Sequence, residues 1–343
     1  MNALMLTDYL KLEMVEMPEP EIGPDDVLVR VRACGICGSD VHGYDGSSGR
    51  RHPPLVMGHE AAGEVARTGA NVRDLKPGDR VTFDSTVYCG KCFFCVRGDV
   101  NLCDNRQVVG VAPEEYRRHG AFAEYVSVPR RIIYKLPADF PYEQAALIEA
   151  VSIGVHAVSI TPVKLGDTAV IVGVGMIGSV TLQAARAAGC ARIIAVDIEN
   201  SKLDRAKTIG ATDVLNPKET NVQSVVLELT GGHGADVAFE CVGYSEPVST
   251  AIYSVRKGGM VTLVGNLAPN IDAPLQYVVT RQIRLQGSCA SNGEYPQCID
   301  LMSRGVIKVG PLISAVAPLA EGASWFNRLY HHEANLMKVV LQP

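Results

Sequence analysis

The sequence has 343 residues, of which 47% are apolar and 20% charged, and its formal net charge is −5. A chain of this length holds about two domains, and its mildly acidic balance excludes a general nucleic-acid-binding protein, which carries a basic face. No apolar run reaches the roughly 18 residues that cross a bilayer. Because residues 1–14 also lack the basic start and apolar run of a secretion signal, we expect a cytoplasmic protein without nucleic-acid or membrane partners.

The sequence up to about residue 150 predicts short strands separated by turns. The strand-like runs are Val27–Val31, Glu64–Ala66, Arg80–Phe83 and Ala123–Val128. Gly-Pro-Asp at 23–25 and Pro-Gly-Asp at 77–79 are typical turn sequences between such runs. This pattern indicates a mostly β, barrel-like domain.

Two glycine-rich segments of this first part carry residues that can bind a metal. One runs from Cys34 to His42 and contains Cys37, and the other is Gly58-His59-Glu60. Thiolate, imidazole and carboxylate groups all bind zinc, and the neighbouring glycines permit tight backbone geometry. From the spacing alone, a metal site and a purely structural role both remain open.

Four of the ten cysteines lie in one short segment, Cys89-x2-Cys92-x2-Cys95-x7-Cys103. Two-residue spacers let neighbouring cysteines reach one ion, and tetrahedral zinc is commonly held by four thiolates. Because no position would remain open, we predict a structural zinc. The alternatives are an iron–sulfur cluster, which the x7 spacer disfavours, a zinc ribbon that grips nucleic acid, and four free cysteines.

From about residue 151 the pattern changes to alternating strands and helices. Strands are predicted at Thr168–Val172, Arg192–Val196, Asp236–Glu240 and Met260–Val264, and helices at Ile177–Ala188, Asn221–Leu229 and Pro247–Val255. This alternation is typical of βαβ units and a parallel sheet. The fold class is therefore α/β.

A glycine-rich turn, Gly173-Val174-Gly175-Met176-Ile177-Gly178, follows the first of these strands and opens a helix. This is the context of a dinucleotide-binding fingerprint, in which the pyrophosphate lies on the helix N-terminus. Asp197 ends the second strand about 20 residues further on, where a carboxylate binds the ribose hydroxyls and repels a 2′-phosphate. The pattern favours NAD over NADP.

The carboxyl ends of the later strands are expected to bind the nicotinamide half, because ligands bind doubly wound sheets at that edge. The predicted cofactor-binding residues there are Val242, Val264, Gly265, Asn266, Ser288, Cys289 and Ala290.

The βαβ alternation stops near residue 288. A helical segment near Pro296–Arg304 and runs at Leu312–Val316 and Lys338–Leu341 follow. We expect this tail to return to the first domain, which would then comprise residues 1–152 and 288–343, with the four-cysteine lobe at about 86–106. Residues 153–287 would form the nucleotide-binding domain.

Taken together, three segments resemble the zinc-dependent medium-chain alcohol dehydrogenases, and most closely their sorbitol (polyol) dehydrogenase branch. The segments are the Gly58-His59-Glu60-x2-Gly63-x5-Gly69-x2-Val72 run, the Gly-Ile-Cys37-Gly-Ser39-Asp-x-His42 segment and the four-cysteine lobe. The resemblance covers nearly the whole chain. It implies a GroES-like β-rich catalytic domain and a doubly wound Rossmann domain that binds NAD.

The resemblance makes Cys37 and His59 ligands of a catalytic zinc. Glu60 and Glu149, in Leu147-Ile148-Glu149-Ala150, are further candidate ligands. A catalytic zinc keeps a position open, so we predict that one glutamate binds the metal and the other acts through its water. In the branch that this chain resembles, Glu60 matches the ligand and Glu149 the water-contacting partner. The family usually has Glu-Pro here, and Ala150 departs from that pattern.

The resemblance also implies a path for the proton of the alcohol. Ser39 would contact the alcohol oxygen and pass the proton through the nicotinamide ribose to His42, since an imidazole exchanges protons near neutral pH. Lys202 would lie near the adenosine ribose, or else be a solvated helix charge. His119 is expected to be a packing or surface residue.

The sequence therefore predicts an enzyme that uses zinc and NAD to oxidise a secondary alcohol of a polyol such as sorbitol, L-iditol or galactitol. Related branches that act on threonine, 2,3-butanediol or a sugar-alcohol phosphate are alternatives, as is a nucleotide-binding redox sensor. Tyr44, Phe122 and Arg281 are candidate cleft residues by position. We expect a homodimer or homotetramer, with residues 260–264 and 284–288 available for an interface. The five remaining cysteines are interpreted as core or strand-end residues.

Overall fold

A computed structural model of the protein describes residues 1–111 and 118–343. The strands are β1 (Asn2–Asp8), β2 (Lys11–Glu16), β3 (Asp26–Gly35), β4 (Leu55–Val56), β5 (Glu60–Thr68), β6 (Arg80–Phe83), β7 (Thr86–Val87), β8 (Gln107–Val108), β9 (Tyr125–Pro129), β10 (Ile133–Lys135), β11 (Thr168–Val172), β12 (Arg192–Val196), β13 (Asp213–Leu215), β14 (Ala235–Glu240), β15 (Val255–Leu263), β16 (Arg284–Gly287), β17 (Ile313–Pro318) and β18 (Lys338–Gln342). The helices are α1 (Gly38–Tyr44), α2 (Phe93–Arg97), α3 (Tyr142–Ala145), α4 (Ile148–Ser159), α5 (Met176–Ala187), α6 (Asn200–Thr208), α7 (Val222–Leu229), α8 (Ser245–Ser254), α9 (Leu275–Thr280), α10 (Tyr295–Ser303) and α11 (Gly322–Tyr330). Single 3-10 turns occur at Val100–Leu102, Arg130–Ile132, Gly310–Leu312 and Leu319–Glu321.

The described residues divide into two compact units. The first contains Met1–Glu149, Tyr295–Ser303 and Val309–Pro343, and the second contains Ala150–Glu294 and Arg304–Lys308. The chain passes from the first unit into the second within α4.

The first unit is built on a mainly antiparallel sheet with strand order β10-β6-β5-β3-β18-β17, and β9 also pairs with β3. Most of β3 is buried, including the consecutive residues Val27–Val29 and Ala33–Gly35, and only Arg30 is exposed, as expected for a central strand of the sheet. Gly35, which ends β3, lies opposite Glu60, which begins β5. Cys37 and His59, which flank this pair in sequence, are thereby brought side by side.

The final strand returns to this same sheet. β18 pairs antiparallel with β3, with Leu341 opposite Cys34 and Val340 opposite Gly35. The pairing places the start of β18, and with it Lys338, beside the segment that carries Cys37. A residue from the end of the sequence thus joins residues from its beginning.

The second unit is a six-stranded parallel sheet with strand order β13-β12-β11-β14-β15-β16. The continuous apolar sequence of β11 is typical of a parallel strand that is covered on both faces, and four of its five residues are buried. The strand order reverses between β11 and β14, so a ligand crevice is expected at the carboxyl ends of these strands. The predicted α/β fold with a doubly wound sheet is confirmed.

The helices of the second unit begin and end close to the predicted positions. Asn221 caps α7, because its side chain accepts a hydrogen bond of 2.9 Å from the backbone N–H of Ser224. The strand predicted at Met260–Val264 is longer than expected and begins at Val255. Among the described helices, none is long and apolar enough to cross a membrane.

Candidate active site

Cys37, His59 and Glu60 form a three-ligand group in the first unit. One ligand atom from each lies within 4.8 Å of the others. Cys37 occupies the N-cap position of α1, where Asp40 accepts a hydrogen bond of 3.3 Å from its backbone N–H. The junctions from β3 into α1 and into β5 therefore position the group that the sequence predicted.

Asp40 is a fully buried carboxylate beside the histidine of this group. Its Oδ1 lies 3.3 Å from His59 Nδ1 and 3.0 Å from a terminal nitrogen of Arg51. Burial alone would raise the pKa of Asp40, but His59 and Arg51 outweigh it and hold that pKa at about 2. With Nδ1 facing a carboxylate, the other ring nitrogen of His59 is the one available to a metal.

Glu60 is paired with a buried lysine from the last strand of the sheet. Lys338 Nζ lies 2.8 Å from Glu60 Oε1, 2.7 Å from Oε2 and 3.0 Å from the carbonyl oxygen of Ile36. Both side chains are buried. Burial lowers the pKa of Lys338, but the charge of Glu60 outweighs it and raises that pKa above its ordinary value.

Glu149, the second predicted glutamate, lies outside the three-ligand group. Its Oε1 accepts a hydrogen bond of 3.1 Å from Ser85 Oγ. Burial raises the pKa of Glu149 to about 7, with His59 opposing this shift and Glu60 adding to it. These mutual effects locate Glu149 electrostatically near both His59 and Glu60.

Ser39 and His42, the predicted proton path, both lie on α1. They are three residues apart and so share one helix face. Ser39 is exposed and His42 half-buried, and Ser39 Oγ accepts a hydrogen bond of 3.1 Å from Arg51.

The donor chemistry of the three-ligand group fits zinc. One thiolate, one imidazole and one carboxylate are a ligand set that zinc accepts, and three protein ligands leave a fourth position for substrate. The Asp40–His59 contact supplies the outer carboxylate that metal-binding histidines usually have.

The four-cysteine lobe brings its sulfur atoms to a common centre. Cys89 Sγ lies 4.0 Å from Cys95 Sγ, and Cys92 Sγ lies 3.9 Å from Cys103 Sγ. A tetrahedral zinc with Zn–S bonds of about 2.3 Å needs sulfurs about 3.8 Å apart. The backbone N–H of Lys91 lowers the pKa of Cys89 to about 6, which favours the thiolate that a metal requires.

The three glycines of the turn after β11 differ in what a side chain at each position would meet. Gly173 has a φ of +84°, which a residue with a side chain rarely adopts. A Cβ at Gly178 would lie 1.8 Å from the Gly173 carbonyl oxygen, whereas a Cβ at Gly175 would meet nothing within 4 Å. The turn is tight, α5 packs closely on the strand, and the surface at Gly175 is open to a ligand. Met176 and Ile177, which follow in the first turn of α5, are half-buried.

Asp197 lies at the carboxyl end of β12 and contacts this glycine turn. Its Oδ2 accepts a hydrogen bond of 2.9 Å from the backbone N–H of Val174, and its Oδ1 accepts one of 3.0 Å from that of Glu199. Asp197 therefore contacts the glycine turn directly. Lys202 pairs at 2.7 Å with Glu199, whose backbone N–H bonds to Asp197.

The loops after β14 and β15 pack backbone against backbone. A Cβ at Gly265 would lie 2.3 Å from the Gly243 nitrogen. Glu240, fully buried, accepts hydrogen bonds of 2.7 and 2.9 Å from the backbone N–H groups of Val242 and Gly243. Val264 and Gly265 are half-buried and Asn266 is exposed.

The segment after β16 contains the last predicted cofactor residues. Ser288 and Cys289 are half-buried, and Ser288 donates its backbone N–H to the Leu263 carbonyl oxygen at 2.9 Å. Ala290 has a φ of +52°, an uncommon value for alanine.

Two residues suggested as cleft residues by position are core residues, so that suggestion is wrong. Tyr44 is 7% exposed and Phe122 is fully buried, and their rings pack against Phe326 at centroid distances of 5.7 and 5.6 Å. Arg281 lies in the second unit, where its guanidinium stacks 4.1 Å from the ring of Tyr277.

The sequence reasoning missed four polar residues that support these sites: Asp40, Arg51, Glu240 and Lys338. Asp40 had a signal, because an acidic residue three positions after a helix N-cap is typical of a capping box. Lys338 stands alone in an apolar strand, which is unusual for a lysine. Arg51 and Glu240 had no comparable signal.

Two family models match the chain. The alcohol dehydrogenase GroES-like domain matches residues 23–138, and the zinc-binding dehydrogenase model matches residues 176–304. The two matches do not overlap, and together they span most of the chain.

Curated relatives cover nearly the whole chain. It is 33% identical to sorbitol dehydrogenase of Bacillus subtilis over 100% of this chain and 97% of that protein. It is 36% identical to L-idonate 5-dehydrogenase of Vitis vinifera over 86% of this chain and 81% of that protein.

A solved structure agrees with these matches. A zinc-binding dehydrogenase from Sinorhizobium meliloti 1021, bound to NADP, has a TM-score of 0.91 and 32% identity over 100% of this chain and 99% of that one. The protein therefore belongs to the zinc-binding alcohol dehydrogenase family and is an oxidoreductase that acts on CH–OH groups.

Proposed function

We propose that this enzyme oxidises a secondary alcohol group of a polyol to the ketone, with zinc and NAD. The observation that carries the proposal is the three-ligand group of Cys37, His59 and Glu60, which offers zinc three ligands and leaves a fourth position open. The polyol class follows from the relatives, whose names specify sorbitol and L-idonate.

When bound, zinc supplies a Lewis acid that makes the alcohol more acidic, and NAD supplies the hydride acceptor. The protein's own residues bind and move the proton. Ser39 Oγ accepts the proton of the alcohol, and His42, on the same face of α1, passes it towards solvent. Glu149, whose Oε1 accepts a hydrogen bond from Ser85 Oγ, takes up or releases a proton beside the three-ligand group, since its pKa is raised to about 7.

We assign Glu60 as the third zinc ligand and Glu149 as the carboxylate that acts beside it. The grouping of Glu60, but not Glu149, with Cys37 and His59 supports this assignment. The four cysteines at 89, 92, 95 and 103 are proposed to hold a second, structural zinc, because four thiolates leave no open position.

We propose NAD rather than NADP as the cofactor. Asp197 Oδ2 already accepts the Val174 N–H, so its negative charge is fixed beside the glycine turn, where it would oppose a 2′-phosphate. The proposed domain assignment is a GroES-like catalytic domain of residues 1–152 and 288–343 and a nucleotide-binding domain of residues 153–287.

A homodimer or homotetramer in the cytoplasm is part of the proposal. β16 is the edge strand of the parallel sheet, and Leu285 in it is 43% exposed. Leu275 and Val279 on α9 are 71% and 68% exposed. An unprotected edge strand and exposed apolar residues are typical of an interface. Clustered cysteines that bind a metal rather than form disulfides are typical of a reducing compartment, which supports the cytoplasm.

The test is NADH formation from a panel of sorbitol, L-iditol, galactitol, threonine and 2,3-butanediol, with and without a zinc chelator. We expect turnover with at least one polyol, complete loss after chelation, and recovery with zinc. Turnover that persists without zinc, or activity confined to the non-polyols, would contradict the proposal.

Histidine variants test the ligand assignment directly. H59A should abolish turnover and remove one zinc per chain while NAD binding, measured by calorimetry, stays within about twofold. H331A is the matched control, because His331 is exposed and distant in sequence. Full activity in H59A would contradict the assigned zinc site.

A further inference from the structure

A buried arginine contacts two residues of the proposed reaction centre. One terminal nitrogen of Arg51 lies 3.1 Å from Ser39 Oγ and 3.0 Å from Asp40 Oδ1. That nitrogen carries two N–H bonds, one for each acceptor. Arg51 is only 3% exposed and its contact with Asp40 is buried, whereas its contact with Ser39 lies at the surface of the site.

The fold makes room for this arginine at one position of α1. A Cβ at Gly43 would lie 2.7 Å from both Cγ and Cδ of Arg51. The methylene groups of Arg51 therefore pass directly across the helix backbone at Gly43 before its guanidinium reaches the first turn. A side chain at position 43 of α1 would collide with Arg51, so this path of the arginine requires glycine there.

The arrangement leaves Arg51 Nε buried without a hydrogen-bond partner among residues 1–111 and 118–343. The hydrogen bonds of the guanidinium to Ser39 and Asp40 both come from one terminal nitrogen.

We infer that Arg51 is a positioning residue, which fixes the direction in which Ser39 passes a proton and, through Asp40, the orientation of His59. This inference rests on the proposed function. A guanidinium donates only and keeps its charge, so Arg51 always occupies one lone pair of Ser39 Oγ. One lone pair and the O–H bond remain, which suffice to accept one proton and donate another.

The link to the metal site runs through a shared oxygen. Asp40 Oδ1 faces both Arg51, at 3.0 Å, and His59 Nδ1, at 3.3 Å. Because the arginine neutralises a fully buried carboxylate, it keeps an anion available to orient the imidazole. Loss of the arginine should therefore affect both proton transfer and zinc retention.

The test compares R51Q with R50Q in the zinc-loaded enzyme, using NAD and sorbitol as the probe substrates. Arg50 is the matched control, because it is adjacent in sequence but exposed. We expect R51Q to lower kcat about 10–100-fold, the range for outer partners of metal ligands, with the KM for NAD unchanged. R50Q should stay within about twofold of the parent in kcat.

A double-mutant cycle separates this role from general stabilisation. In an S39A background, R51Q should lower kcat by less than about threefold, since residues that act together give non-additive losses. Equal fold losses in both backgrounds would overturn the inference. If R51Q does not fold, R51K, which keeps the charge beside Asp40, replaces it in the same cycle.

Zinc retention gives a readout that is independent of turnover. R51Q should release zinc from the three-ligand group to a chelator about 10–100-fold faster than R50Q. If the parent enzyme oxidises no polyol, the proposed function fails. If R51Q and R50Q release zinc at the same rate, the inference about Arg51 fails, whether or not the proposed function holds.

Discussion

Lys338 Nζ contacts both carboxylate oxygens of Glu60, at 2.7 and 2.8 Å, although the two residues are 278 positions apart in the chain. Lys338 is 2% exposed and Glu60 1%. A buried carboxylate is costly unless a cation neutralises it. The last strand of the sheet therefore supplies the charge that allows a glutamate to be buried beside Cys37 and His59.

Removal of that lysine should destabilise the protein. K338M leaves Glu60 buried without its cation, and breaking a buried ion pair in this way costs about 3–5 kcal/mol. Denaturant unfolding of the zinc-free protein should show this loss, and added zinc should restore part of it because the metal supplies positive charge near Glu60. K76M, at an exposed lysine of the same unit, should change the free energy of unfolding by less than about 0.5 kcal/mol. Equal stability of K338M and K76M would contradict the structural role of the ion pair.

Loss of one lobe cysteine should affect folding before catalysis. C92S removes one of four sulfurs, and structural zinc contributes about 10–16 kcal/mol of binding energy in small zinc-folded peptides. We expect the measured zinc content to fall by one ion per chain and the midpoint temperature of thermal unfolding to fall. C190S, at a buried cysteine outside both ligand groups, should keep its full zinc content. A stable, active C92S protein with an unchanged zinc content would contradict the proposal of a structural zinc.

Asp197 should determine the choice between NAD and NADP. D197A removes both the charge and the acceptor for the Val174 N–H, so the ratio of kcat/KM for NAD over NADP should fall at least about tenfold. D197N keeps an acceptor for that N–H but removes the charge. It should also accept NADP while holding the turn better than D197A. Cofactor ratios that match the parent in both variants would rule out the assigned role.

A buried histidine–glutamate pair in the second unit should make the free energy of unfolding depend on pH in the acidic range. His156 Nδ1 and Glu294 Oε1 lie 2.6 Å apart. Burial raises the pKa of Glu294, but His156 outweighs it and lowers that pKa below the ordinary 4.5. A lowered carboxylate pKa stabilises the folded state above the unfolded pKa, and this contribution is lost as the pH falls through the folded value.

E294Q measures the contribution of this pair. At pH 7 it should lower the free energy of unfolding by about 1.5–3 kcal/mol, the usual worth of a hydrogen bond to a charged group. Denaturant unfolding at decreasing pH should show the difference from the parent shrinking once the pH is below about 4.5. E246Q, at an exposed glutamate, should follow the parent throughout. A difference that grows on acidification would contradict the assigned direction of the pKa shift.

The sequence was sufficient to predict those features that are formed by residues close together in the chain. The Cys89–Cys103 spacing predicts one metal centre because all four sulfurs are close along the chain. The Gly173–Gly178 turn and its strand and helix follow from local periodicity and backbone freedom. Cys37 and His59 became a site only with the family resemblance, since their spacing alone left a structural role open.

Tertiary structure decided which distant residues surround these features. The pairing of β18 with β3 brings Lys338 to Glu60, and the path of Arg51 across Gly43 brings a guanidinium to Ser39. Tyr44 and Phe122 were directed into the core by the same packing. Strand pairing and burial act between residues far apart in sequence, so periodicity and motif spacing do not encode them. The sequence by itself determined the four-cysteine spacing and the glycine fingerprint, and the fold brought Cys37, His59 and Glu60 together and placed charged side chains against them.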